Sequence, residues 1–217
     1  MRIAVIGASG WLGGAIAREA LARGHEVTAI GRDPDKLATL SDARAATVDA
    51  TDAAALPGVI GGHDVVVQAV TDRSGSSRDT IPDTTAALIA AVPAAGVARL
   101  AVVGGGGSLL DTNGIRYIDR PDFPEQYRVE AQAGLRALEL LRAAPAQLDW
   151  TYLSPPPHDL VPGDARGGYT TRGDDHAVTG PDGHSAITSG DLAAAMLDEL
   201  ESPQYVRRRF TAGYPDA

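Results

Sequence analysis

Short apolar runs and longer mixed stretches alternate along this chain from its first residues. Arg2-Ile3-Ala4-Val5-Ile6 is a compact run rich in Ile and Val, followed at once by glycines and then by a helical pattern through Arg23. Gly24 closes that helix, at a position where positive φ is favoured. Further strands are predicted at 26–30, 45–48, 64–69, 99–103 and 149–153, with a last short one at 208–211. Helices are predicted between them at 33–40, 81–95 and 125–143, and again at 190–200. Asp33-Pro34 opens the first of these with proline in its first turn, and Pro93 is expected to distort the end of the second.

A βαβαβ order with mostly apolar strands predicts an α/β protein. Its parallel sheet is doubly wound and covered by helices on both faces, giving three layers, α/β/α. The pattern changes after Ser154. Pro155-Pro156-Pro157 begins a stretch rich in Gly, Pro and Asp, and the region 154–188 reads as a substrate-side loop over the strand ends. No repeat or linker divides the chain, so residues 1–217 are expected to form one domain.

Composition narrows the classes of function. No apolar run approaches the roughly 18 residues of a membrane span, and the N-terminus lacks the pattern of a secretory signal. A cytoplasmic location is expected. The formal net charge is −9, which disfavours nucleic acid and anionic membranes as partners. A small-molecule substrate is expected, with monomer and homodimer both open. Cysteine is absent, and Lys36 is the only lysine.

The segment Gly7-Ala8-Ser9-Gly10-Trp11-Leu12-Gly13 has the spacing G-x-x-G-x-x-G between the first strand and the first helix. Gly7 permits the tight turn, Gly10 lets backbone approach a pyrophosphate, and Gly13 allows close helix–strand packing. The helix N-terminus then faces an anion with free N–H groups. A Rossmann-type dinucleotide site is therefore predicted, with Ser9, Trp11 and Leu12 in the loop contributing to it. Arg32 stands at the end of the second strand, where an acidic residue would hold the ribose hydroxyls of NAD. An arginine there suits a 2′-phosphate, so NADP(H) is expected over NAD(H); a solvated arginine at a helix start is the plain alternative. Asp33 reads as a helix cap. Asp49, ending the third strand, has two readings, a contact to the adenine amino group or a cap, and Asp52 suits the cap better. Ala69 and Val70, ending the fourth strand, are placed along the ribose.

With these motifs in place, the chain resembles the atypical short-chain dehydrogenase/reductase group, and within it the NmrA-like and biliverdin reductase B (flavin reductase)-like proteins. Gly31-Arg32-Asp33 and the glycine loop carry the first half of the resemblance. Val102-Val103-Gly104-Gly105-Gly106-Gly107-Ser108-Leu109, Leu148-Asp149-Trp150-Thr151 with Ser154-Pro155-Pro156, and Ile187-Thr188-Ser189-Gly190-Asp191-Leu192-Ala193 carry the second. The resemblance implies that Gly104 lies by the cofactor, and that Ser108 and His158 lie beside substrate. It fixes the fold better than the reaction.

The Tyr-x-x-x-Lys pair of most catalytic short-chain dehydrogenases is excluded outright. The residue four before Lys36 is Arg32, while Tyr117 is followed at that spacing by Pro121 and Tyr127 by Ala131. An epimerase would need unfamiliar catalytic residues. The first expectation is a reductase passing hydride from NADPH to a flat conjugated acceptor such as a flavin, quinone or tetrapyrrole, with Ser108 and His158 positioning or protonating it. A non-catalytic NADP(H)-binding redox sensor of NmrA type is the alternative. Ser108 as a turn cap and His158 as an exposed loop residue also remain open. No metal site is expected from His176, His184, Asp174 and Asp175, which lack compact ligand spacing. Tyr117 and Tyr127 read as pocket-lining or packing residues, Trp11 as packing beneath the cofactor, Asp191 as support for the last helix, and Arg207 to Arg209 as a solvated face.

Overall fold

The computed structural model describes residues 1–71, 79–173 and 175–216. The chain begins β1 (Arg2–Ile6), α1 (Trp11–Ala22), β2 (Glu26–Gly31), α2 (Pro34–Leu37), β3 (Arg44–Thr47), α3 (Leu56–Ile60) and β4 (Val65–Gln68). It continues through α4 (Thr80–Ala94), β5 (Arg99–Val103), a 3₁₀ turn at Tyr117–Asp119, α5 (Glu125–Arg142) and β6 (Asp149–Ser154). The last part holds three short strands, β7 (Asp159–Val161), β8 (Thr170–Arg172) and β9 (Ala186–Thr188), then α6 (Ser189–Glu201) and β10 (Arg208–Gly213).

Eight strands form one sheet in the order β3-β2-β1-β4-β5-β6-β10-β8. Neighbours run parallel except β8, which pairs antiparallel with β10. The order reverses direction on either side of β1 and β4, the switch point at which such sheets bind ligands beyond the carboxyl ends of the strands. Alternation along β1 shows why both faces are covered. Ile3 and Val5 point into a core with α1 and α6, whereas Ala4 and Ile6 point into a second core with α3, α4 and α5. The result is the three-layer, doubly wound α/β fold expected from the sequence.

Local signals set several boundaries. Gly24 takes φ +80° and donates to Leu21 O, while His25 donates to Ala20 O, closing α1. Asp33 caps α2, its carboxylate accepting from the N–H groups of Asp35 and Lys36. α2 ends at Leu37, shorter than the sequence pattern, and α4 runs through Pro93 to Ala94. Arg23 fixes α1 to α6, with Nη1 2.8 Å from both Asp198 and Glu201. Within 154–188, β7 pairs with β9 in a separate two-stranded ribbon and β8 extends the main sheet.

Candidate functional site

The glycine loop forms a backbone cradle that requires glycine at two of its positions. Gly7 has φ +85°, and a Cβ there would lie 2.6 Å from the carbonyl oxygen of Ala69. A Cβ on Gly13 would lie 2.2 Å from Gly7 O, so α1 can start this close to β1 only with glycine at that position. Gly10, the N-cap of α1, has no side chain to cap the first turn, which also contains no acidic residue. The N–H groups of Leu12 and Gly13, in the first turn of α1, are thus left for an anion. A pyrophosphate fits this cradle by shape and by charge.

At the end of β2, a Cβ on Gly31 would touch the Ser9 hydroxyl at 3.5 Å, which places Ser9 over the strand end. Arg32 follows, exposed. Asp49 lies across from it after β3. Its carboxylate accepts from the Thr51 N–H at 3.0 Å and the Thr51 hydroxyl at 2.8 Å. Those bonds, with the Arg32 charge as a smaller contribution, hold the Asp49 carboxyl below the usual range. Asp52 takes the turn-capping role, accepting from the N–H groups of Ala54 and Ala55 ahead of α3.

Three strand ends continue the site. Ala69 donates to Ile6 O, and the Ala69–Val70 backbone abuts Gly7. Gln68, fully buried, binds Ile81 O and Thr85 on α4, which anchors the end of β4. Gly104 is required for a reason the sequence did not reveal. A Cβ there would fall 1.8 Å from the Tyr152 ring, whose hydroxyl donates to Gly134 O and accepts from Gly105 N. Burial pushes this phenol up to about 12. Gly106 lies against the backbone of Pro155 and Pro156, so the loops after β5 and β6 are in contact.

Ser108 and His158 take up different surroundings. Ser108 is buried, and its hydroxyl accepts from Arg209 Nη1 at 2.8 Å. Arg209 also pairs with Asp175 through Nη2. Arg209 is therefore no part of a solvated face. β10 lies between β6 and β8, and the Arg209 side chain is turned inward under the post-β5 loop. Arg207 is also engaged, donating to the carbonyls of Ala144, Pro145 and Leu148 after α5. Only Arg208 of the three is exposed.

His158 lines a cavity of about 320 Å³ together with Asp111, Tyr117, Arg120 and His184. Ser108 is not among its lining residues. The His158 ring stacks on His184 with centroids 4.8 Å apart and meets Tyr117 edge-on at 5.0 Å. Its Nδ1 accepts the Ser185 N–H at 3.1 Å. A ring nitrogen that accepts an N–H carries no proton, so neutral His158 holds its proton on Nε2. Desolvation, then the positive charges of His184 and Arg120, hold its pKa below the usual histidine value.

Other expectations resolve individually. Tyr117 is buried and lines the His158 cavity, whereas Tyr127 is 54% exposed on α5 and packs little. Trp11 is half-buried at the first position of α1. His184 pairs with Asp159 at 2.9 Å, and His176 bridges to Leu110. Asp174 lies outside the described residues. Asp191 supports more than the start of α6. It accepts from Arg166 N, Gly167 N and the Tyr214 hydroxyl while its own N–H is capped by Thr188.

A family model described as NAD(P)H-binding matches residues 7–203. YwnB of Bacillus subtilis (strain 168) is 36% identical over 213 residues, spanning 97% of this chain and 97% of its own. The solved "putative epimerase" of Bacteroides thetaiotaomicron is 34% identical, with a TM-score of 0.88 over 100% of this chain and 98% of that one. The "putative NADH-flavin reductase" of Streptococcus pneumoniae TIGR4 is 33% identical, with a TM-score of 0.85 over 99% of each chain.

Proposed function

The chain belongs to the NAD(P)H-binding family, in keeping with its resemblance to the atypical short-chain dehydrogenase/reductases, and on that premise we propose that it is an NADPH-dependent oxidoreductase acting on a flat, conjugated acceptor. The bound nicotinamide would supply the hydride. The glycine cradle would hold the pyrophosphate through the N–H groups that open α1, with Ala69 and Val70 beside it. Ser9, Arg32 and Asp49 would surround the adenosine, and Arg32 would meet a 2′-phosphate with a guanidinium fork.

The observation that carries the reading is His158 at its cavity. The loop that bears it packs on the loop after β5 through Pro155 and Pro156. Its Nε2–H is available to donate, and the Tyr117 ring stands beside it. Such a site orients an acceptor carbonyl or ring nitrogen by hydrogen bonding rather than by a strong acid, which suits conjugated acceptors. Ser108 would shape the post-β5 loop from beneath, with Arg209 holding its hydroxyl. Epimerase chemistry through a tyrosine–lysine couple has no residues to run on, because Lys36 sits on α2 with Nζ 3.5 Å from Asp33.

The test is the decay of nicotinamide absorbance with purified protein and NADPH against FMN, riboflavin, menadione and biliverdin, with NADH in parallel. Protein-dependent decay with an acceptor, faster with NADPH, is the expected result. Tight NADPH binding with no decay on any acceptor would replace the reductase with the redox sensor.

A further inference from the structure

A second cleft lies beside the amino-terminal ends of β6 and β10. Its volume is about 220 Å³, and Arg142, Trp150, Asp175, Arg207, Arg208 and Arg209 line it. Among the described lining residues four arginines accompany one aspartate, on a chain whose formal net charge is −9. Arginine is otherwise costly to gather in this way, since like charges repel and each guanidinium must be satisfied.

Two buried polar groups behind the lining of the cleft have no partner among the described residues. Trp150 is 3% exposed, and its indole N–H is buried with no hydrogen-bond acceptor; the same holds for Nε of Arg209, at 6%. A buried donor left unpaired costs free energy, and native proteins rarely leave one so. Asp175 satisfies only part of the donor set. It pairs with Arg209 and with Arg142 Nη2 at 3.2 Å, and it is itself half-exposed. Arg208 is exposed.

We propose that this cleft binds a small dianionic oxyanion, as carried by a phosphate group or a dicarboxylate. The guanidinium groups of Arg142 and Arg208 would grip its oxygens, with Arg209 and Trp150 forming the wall behind them. A dianion matches the charge excess better than a monocarboxylate does. The site is joined to the loop after β5, because Arg209 also donates to Ser108. Any effect on turnover rests on the reductase reading; binding of the anion does not.

The two tryptophans of the chain are Trp11 and Trp150, so a Trp11→Phe protein reports on the cleft through Trp150 alone. That protein is titrated with inorganic phosphate, with malonate, and with chloride at matched ionic strength. A saturable change in Trp150 emission is expected with one or both dianions and not with chloride. The phosphate and malonate arms show which source of the dianion the cleft takes. In an Arg142→Gln/Arg208→Gln variant the apparent affinity should fall about a hundredfold, the worth of two lost charge-assisted hydrogen bonds. The thermal midpoint of the otherwise unaltered chain, raised by the same dianion and not raised in the double variant, gives an independent readout. No saturable response, an equal response to chloride, or an undiminished response in the double variant overturns the site. None of these results depends on NADPH or on any acceptor, so the cleft and the reductase stand or fall separately.

Discussion

Arg32 is exposed at the end of β2, with Ser9 over the adjacent Gly31 and its charge reaching Asp49. If it reads a 2′-phosphate, Arg32→Ala should weaken NADPH by about ten- to a hundredfold, the worth of one or two charge-assisted hydrogen bonds. NADH should change little. Cofactor fluorescence titrations decide the matter, and an equal loss for both cofactors would make Arg32 a general contact. His158 allows a similarly sharp expectation. Its Nδ1 accepts from Ser185 N–H, so a proton added there would set two donors against each other. Desolvation and the charges of His184 and Arg120 act in the same direction, opposed by Asp159 and Asp122. His158 is therefore neutral at pH 7 and above, and kcat/KM should be level through that range and change only below the ordinary histidine pKa. His158→Ala should lower kcat/KM by about tenfold or more with cofactor affinity kept, as loss of a hydrogen bond to the acceptor requires. The role of Arg209 was illegible in the sequence because its partners Ser108 and Asp175 lie 101 and 34 residues away. Arg207-Arg208-Arg209 reads as one surface run, yet Arg207 is tied to the carbonyls after α5 and Arg209 is buried against Ser108 and Asp175, which leaves only Arg208 exposed.

Elements were legible where they were long and periodic, and not where they were short. The apolar runs of β1, β2, β4, β5 and β6 and the helical stretches of α1, α4, α5 and α6 stand out because each repeats its pattern at least twice. β7, β8 and β9 have three residues each, too few to show a period of two. α3 has five and contains Pro57 and Gly58, which read as a turn. What organises the 154–188 stretch is instead a buried carboxylate. Asp191, 1% exposed, gathers Arg166 N, Gly167 N and the Tyr214 hydroxyl, tying that stretch and the end of the chain to α6. Asp191→Ala strands those donors. It should cost about 2–4 kcal/mol, the sum of several unsatisfied groups after partial relaxation, measured as a shift in the urea midpoint. A loss below a few tenths would mean that water replaces the carboxylate at no cost and that the stretch is held elsewhere.

The whole molecule carries a formal net charge of −9, and acid acts on it in two opposing ways. Protonating exposed carboxylates relieves self-repulsion and favours the compact state. Against this, Asp64, Asp111, Asp122 and Glu201 are held below the usual carboxylate range. The Arg2 N–H lowers Asp64, the N–H of Ile115 lowers Asp111, and the Arg120 guanidinium lowers Asp122. For Glu201, hydrogen bonds from His25 and Arg23 outweigh its desolvation. A carboxylate with a depressed folded pKa contributes stability that is fully present above its unfolded pKa and lost as pH falls through the folded value. The depressed pKa of His158 works in the same direction from a higher pH, since the unfolded chain takes up that proton first. The thermal midpoint should therefore change little from pH 7 to about 5, where relief of repulsion offsets His158, and fall steeply below about pH 4, where the unfolded carboxylates bind protons. Added salt separates the two contributions. It screens the repulsion between exposed charges, so it should raise the midpoint at pH 7 and have less effect near pH 5, where the net charge has shrunk. A midpoint that drops steadily between pH 7 and 5 at high salt and stays level at low salt would show both contributions with the expected signs. A steady drop at low salt as well would mean that proton uptake at His158 outweighs the relief of repulsion across that range.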